Sequence, residues 1–291
     1  MPSKADLSGT ALPRRQLGRA LRDARHAHGS TLEQVARDCE FSRAPLSRIE
    51  LGQYDRIKAR EVEHLCRYYF LPEDRTQYLV ALATQSTPNV WWHESRHFLN
   101  DNFNSYLELE SYATEFRIYH SLVIPGLLQT ADYASAVFSA FAPDDPPAAI
   151  DKRVKLRMQR RARIIQRRCH ARLEFILHEN VLHTVVGSNR VMAAQCRQVA
   201  DLSTRENFVI RLMPFTAGPP LGKVIPPFNI LDFPDSEPSV VHAEGALGSM
   251  TVEDPDEVKS YRSLYNSIRD GALDEQSTRD RLRKLARRYD Q

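Results

Sequence analysis

Gly29 to Gln53 reads GSTLEQVARDCEFSRAPLSRIELGQ, and its residue types are placed to meet a polyanion. Thr31 predicts the cap of a short helix, Leu32 to Asp38. A tight turn follows through Cys39, Glu40 and Phe41. Ser42 predicts the cap of a second helix, Arg43 to Leu51, which Gly52 closes. Pro45 is tolerated because, with Ser42 as N-cap, it is the third helical residue, where an N–H has no intrahelical acceptor. Two short helices joined by about four residues make a helix-turn-helix. In that unit the second helix enters the DNA major groove with its N-terminal side chains toward base edges. Glu50 is a poor groove residue, because a carboxylate repels phosphate. Its expected role is an ion pair with Arg22 or Arg25.

A second stretch, Lys152 to Arg172 (KRVKLRMQRRARIIQRRCHAR), carries ten Lys/Arg and no acid. Val154, Met158, Ile165 and Cys169 predict one apolar stripe on a basic amphipathic helix. Three readings remain open: a solvated face, a further DNA-backbone contact, or a dock for an acidic partner protein. The thin apolar face argues against a membrane surface.

A third, His93-Glu94-Ser95-Arg96-His97, matches HExxH, in which two histidines four apart bind zinc and the glutamate acts as base. The intervening residues are polar and charged, and no third ligand follows at a recognisable spacing. His178 and His183, five apart, diverge by about 140° on a helix. No GxSxG, phosphate loop or dinucleotide fingerprint is present. We therefore expect neither an enzyme, a metal site nor a cofactor, and keep a zinc hydrolase only as a remote alternative.

The elements that must position these residues fall into two parts. From Arg14 to Ala83 apolar residues recur every three or four positions, predicting five short helices, with a break at Pro72. Residues 1–13 read as a flexible tail, 14–84 as the helical headpiece, and 85–90, overlapping the polar run TQSTPN (84–89), as a linker. Residues 91–291 read as an α+β domain. There we expect helices over Phe103 to Tyr119, Leu127 to Phe141, Asp151 to Arg168 and Asn189 to Leu202. Strands are expected at Leu173 to His178, Phe208 to Pro214, Phe228 to Phe233 and Val240 to Ala243, before a helical tail, Asp256 to Tyr289.

Composition is compatible with this plan. The 291 residues are 42% hydrophobic and 26% charged, enough for a core. The formal charge of +3 is local: residues 1–85 hold 14 Lys/Arg against 11 Asp/Glu, the rest 26 against 26. Between Arg14 and Arg60 the balance is 11 against 6. Such clustering supplies affinity for phosphates through counterion release. The four cysteines form no CxxC pair, which argues against a disulfide framework. The chain begins without a signal-like apolar core and holds no apolar run of spanning length, so a soluble cytoplasmic protein is expected.

SRAPLSRIELGQ resembles the Ser-x-x-x-(apolar)-Ser-Arg-Ile-Glu-x-Gly signature of Xre/Cro-type headpieces, and RQLGRALRDAR, Arg15 to Arg25, is similar to their first helix. The resemblance implies a lambda-repressor-like five-helix headpiece, and a fold that is mainly α with an α+β C-terminal domain. It places Arg43, Ala44 and Ser47 at base edges, and Arg15, Thr31, Ser42, Arg48, Arg56 and Lys58 at phosphates. Leu32 departs from the family pattern, which often has Gln there, so one end contact is missing.

Trp91-Trp92, LELESYATEF, VIPGLLQTADYA, VIRLMPFTAG, FNILDFP and VVHAEGALGSMTVEDPDEV resemble the C-terminal domain of unknown function behind such headpieces in antitoxin-like bacterial regulators. This implies a sequence-specific transcriptional regulator, often encoded beside a small partner protein. The alternative is an antitoxin-like module that sequesters such a partner, with DNA binding secondary. A small headpiece footprint and paired half-sites imply a homodimer. Trp91, Trp92, Leu127, Leu128, Gln129 and Tyr133 are candidates for a partner or ligand site, although Leu is more often core and tryptophans at a domain junction are more often packing.

Overall fold

The computed structural model describes residues 11–52, 54, 57–85, 101–165, 171–218, 222–234, 237–245 and 248–291, with the backbone alone for 11, 12, 85, 101 and 102. It forms two compact units, Met1–Tyr112 and Ala113–Gln291. Among the described residues, no helix is long and apolar enough to cross a membrane.

The first unit is helical: α1 (Ala11–Ala27), α2 (Leu32–Asp38), α3 (Arg43–Glu50), α4 (Ala59–Tyr68), α5 (Glu73–Gln85) and α6 (Asp101–Tyr112). Leu17, Leu21, Val35, Leu46, Val62, Leu65 and Leu79 meet in one core, each from the apolar stripe of its helix. Gly18 lets α1 approach the end of α3 backbone to backbone. A Cβ there would lie 2.4 Å from the Ile49 carbonyl oxygen and 2.9 Å from that of Glu50. Gly52, at φ +68°, turns the chain out of α3, and its Cβ would stand 3.0 Å from the Arg15 Cα.

Polar clamps fix the same crossing. Arg25 grips the buried Glu50 with two bonds, Nε to Oε1 at 2.7 Å and an Nη to Oε2 at 2.8 Å. The Glu50 hydrogen bond raises the Arg25 guanidinium above its ordinary value despite partial burial. Of the two partners expected for Glu50, Arg25 is the one that pairs. Arg14, also buried, donates to the Tyr54 carbonyl at 2.7 Å and to Glu108 of α6 at 3.0 Å. That contact helps carry the first unit to Tyr112. Gln85, the first residue of the expected linker, is the last of α5, and residues 86–100 lie outside the described ones.

The second unit holds a six-stranded mixed sheet in the order β3-β2-β1-β4-β5-β6. The strands are β1 (Glu115–His120), β2 (Arg172–His178), β3 (Phe208–Met213), β4 (Phe228–Asp232), β5 (Val240–Gly245) and β6 (Gly248–Val252). β1, β2 and β3 are parallel; β4, β5 and β6 continue antiparallel. The helices are α7 (Ala131–Phe141), α8 (Pro147–Ile165), the one-turn α9 (Asn180–His183), α10 (Asn189–Leu202), α11 (Pro255–Asp270) and α12 (Glu275–Tyr289). Val258, Tyr265 and Ile268 of α11 pack on Ile176, Phe228, Ile230 and Val241.

The sheet corrects several expectations. The predicted helix 103–119 ends at Tyr112 and continues as β1, where Phe116, Ile118 and His120 alternate with Glu115, Arg117 and Tyr119. β6 was not expected, because of its five residues only Val252 is buried. The tail is two helices, separated after Asp270 and restarted by Asp274 as N-cap. The helix expected from Leu127 begins instead at Ala131, after a 3-10 turn over Gly126–Leu128.

That turn is held by side-chain amides. Gln195 of α10 accepts from the Thr130 N–H at 2.7 Å and donates to the Leu128 carbonyl at 2.8 Å. Gln129 donates to the Ile124 carbonyl at 2.7 Å and accepts from Arg157 of α8 at 2.5 Å. The basic helix is also turned differently from its expected stripe. Ile150, Leu156 and Ile164 are its buried positions. Arg157 lies 4.1 Å from the Phe138 ring centroid, and burial lowers its pKa to about 10.

Two stability outcomes follow. Gly18→Ala forces backbone against backbone and lowers stability by ~1–3 kcal/mol or more, read as a fall in the headpiece melting midpoint. Gln195→Ala leaves the half-buried Thr130 N–H without its acceptor, removes a donor from the Leu128 carbonyl and costs ~1–3 kcal/mol, read by denaturant unfolding of the second unit. An unchanged midpoint in either variant contradicts the corresponding contact.

Candidate nucleic-acid interface

Sequence builds the turn between α2 and α3 locally. Thr31 accepts from the Gln34 N–H at 3.2 Å, while Gln34 accepts from the Thr31 N–H at 2.7 Å, a reciprocal capping box. At the other end of α2 the Phe41 N–H reaches back to the Ala36 carbonyl at 2.9 Å. This requires Glu40 in the left-handed region, at φ +56°. Tyr68 of α4 donates to Asp38 at 2.6 Å and ties down the end of α2. The next helix therefore leaves the turn in a fixed direction.

Ser42 is the N-cap of α3. Its backbone is extended, its carbonyl accepts from Leu46 at 3.2 Å, and its hydroxyl makes no cap bond. Pro45 sits third in the helix, where the missing N–H costs little. Leu46, Ile49 and Glu50 face the interior. Arg43, Ala44 and Arg48 are exposed and Ser47 is half-buried. At ~100° per residue these four span an arc of about 140°, so the three expected base readers and one expected phosphate contact share one face.

The face carries a feature the sequence reading missed. Arg43 Nε lies 2.7 Å from Glu33 Oε1, with the two side chains 71% and 55% exposed. An ion pair this exposed is worth about 0–1 kcal/mol, so the guanidinium can leave it for a stronger acceptor. The signal was present: the short turn brings the first turn of α2 beside the first turn of α3.

The remaining expected phosphate contacts lie on separate elements. Thr31 is exposed at the head of α2, and Lys58 is exposed at the N-cap of α4, where its N–H donates to Glu61 at 2.8 Å. Ser42 is exposed at the head of α3. Arg15 is half-buried on α1 against Gly52, more a packing residue than an open cation. Arg56 lies outside the described residues.

In the second unit the expected partner or ligand residues are interior. Leu127, Leu128, Gln129 and Tyr133 are 2%, 0%, 2% and 0% exposed. Tyr133 Oη accepts from the Ile124 N–H at 3.2 Å. These four hold the turn before α7 and present no surface to a partner. Trp91 and Trp92 lie outside the described residues, as do His93, Glu94 and His97. In the basic helix, Arg153 pairs with Asp145 at 2.7 Å and Arg157 serves Gln129. Lys152, Lys155 and Arg163 are exposed.

Two known families match the chain, the second from within α6. A helix-turn-helix domain family matches residues 16–79, from within α1 to within α5. A domain of unknown function, DUF5753, matches residues 103–284, more than half of the chain. Among curated proteins and among solved structures no match was found. The helix-turn-helix domain points to DNA as partner and to a regulator rather than an enzyme. With a helix-turn-helix headpiece in front, the chain belongs to the DUF5753 family.

Proposed function

We propose that the protein is a sequence-specific transcriptional regulator of the Xre/Cro type that binds its operator as a homodimer. α3 lies in the major groove, with Arg43, Ala44 and Ser47 at base edges. Thr31, Ser42, Arg48 and Lys58 contact phosphates, joined by Arg56 and, at the edge of the site, Arg15. The second unit senses a small partner protein or a ligand, and the protein works in the cytoplasm. The observation that carries this reading is the outer face of α3: four adjacent side chains suited to a groove, on a helix whose other side is anchored by Leu46, Ile49 and Glu50. Arg is the commonest specific reader, bidentate to guanine O6 and N7, and the weak Glu33 pair leaves Arg43 available for it.

An operator found by genome-wide mapping of bound sites provides the test. Arg43→Ala weakens operator binding by ~1–3 kcal/mol and relaxes one base position. Glu33→Gln, which frees Arg43, leaves binding equal or tighter. Unchanged affinity and footprint in Arg43→Ala refute the groove assignment. Arg48→Gln and Lys58→Gln weaken all sequences alike and each reduce the salt slope by about 1. A slope unmoved by both removes them from the phosphate contacts.

A further inference from the structure

A cleft at the β3 edge of the sheet has a composition that selects a ligand. It measures about 360 Å³, enough for an amino acid or a dipeptide. Its floor is the face of β2 and β3 that carries Arg172, Glu174, Val209 and Arg211; its walls are Arg269 and Asp270 at the end of α11, Ala272, and Glu275 at the start of α12.

The charges divide into satisfied and unsatisfied groups. Arg211 pairs with Glu275 at 2.5 Å, and Arg269 stands 3.8 Å from Asp270. Glu174 is only 7% exposed, yet among the described residues its carboxylate makes no hydrogen bond or ion pair. Its register neighbour on β1 is Arg117, whose guanidinium is taken by Asp232 and Glu115. Tyr265, packed above, reaches the Glu174 backbone carbonyl rather than the carboxylate. The Glu174 carboxylate oxygens open onto the cleft rather than into the core. Arg211 also keeps its Nε buried with no acceptor. Arg172, two residues before Glu174 on the same face, is exposed at the rim, about 6.6 Å along the strand.

We infer that this cleft binds a small zwitterion of the amino-acid or dipeptide type, its ammonium on Glu174 and its carboxylate on Arg172. A simple anion would face Glu174, Asp270 and Glu275. A simple cation would face Arg172, Arg211 and Arg269. Only a ligand carrying both charges matches the Glu174 carboxylate and the Arg172 guanidinium together, which have no partner among the described residues. Val209 and Ala272 are the apolar lining, suited to a small aliphatic side chain. The inference deepens the sensing role proposed above and rests on that reading only for its regulatory consequence.

The test uses the full chain without DNA, so failure of the operator reading and failure of this site are separable. Each standard amino acid and alanyl-alanine is added at about 10 mM, which saturates a millimolar site, and binding is read by thermal shift and calorimetry. At least one zwitterion raises Tm, whereas its N-acetyl form (anion alone) and its amide (cation alone) do not. Glu174→Gln weakens that binding at least tenfold while its own Tm without ligand is unchanged, because the carboxylate has no hydrogen bond or ion pair among the described residues to lose. Arg172→Gln, a rim substitution that leaves the interior untouched, also weakens it. The proposal is overturned if no zwitterion binds, if an acetylated or amidated form binds equally well, or if both variants bind as the original does.

Discussion

The approach of α1 to the end of α3 governs the headpiece. With hydrogen at Gly18 where any other residue has a Cβ, the two backbones meet directly, and the carbonyls of Ile49 and Glu50 occupy the space. The Arg25–Glu50 pair then locks the same crossing from the side. Side chains in a core can repack, but a backbone contact cannot slide without moving both helices. The outer face of α3 is therefore held as rigidly as α1 itself. Bending α3 alone would break this seam.

The second unit uses charge in the opposite way. On the face of the sheet under α11, Asp232 receives Arg117, Arg262 and Ser239. Burial would push this carboxyl up, but the hydrogen bonds from Arg262 and Ser239 and the charges of Arg262 and Arg117 hold it below the usual carboxylate range. That cluster consumes the cations nearest β1 and leaves Glu174, one strand over, without one. The unpaired carboxylate is thus a product of the strand register, in which Arg117 and Glu174 are neighbours but Asp232 lies on the other side.

The headpiece was legible because its signals are local. Thr31 and Ser42 mark helix starts, three- and four-residue spacing marks the buried stripes, and Glu50 is too acidic for the groove side of α3. What was not read there is tertiary: Glu33 meeting Arg43 across the short turn, and Gly18 serving a close backbone approach. The second unit was half legible. Strands buried on both faces, such as β2, appear as apolar runs. β1 was hidden because its two-residue alternation follows directly on a helical stripe. Leu127, Leu128 and Gln129 were candidates for a partner site, with core the commoner place for Leu, and each is spent internally, since the amides of Gln195 and Gln198 satisfy the carbonyls that a 3-10 turn leaves open. In Lys152 to Arg172 the count of cations left a solvated face, a DNA-backbone contact and an acidic partner open, but a 3.6-residue repeat also turns Arg157 inward, where Phe138 and Gln129 receive it.

The order of the sheet sets the order in which it can be made. β4, β5 and β6 form a meander of neighbours in sequence, whereas β1 must pair with β2 only after α7 and α8 have been laid down, and with β4 only after β2, α10 and β3. Non-local parallel pairing is slow, because loop-closure entropy is lost before any ladder bond repays it. During synthesis β1 emerges first of the six and waits longest for both its edges to be covered. Assembly of this domain, rather than of the headpiece, is therefore the slow step in producing the mature regulator, and the interval in which β1 stands uncovered is when the nascent chain is most exposed to aggregation.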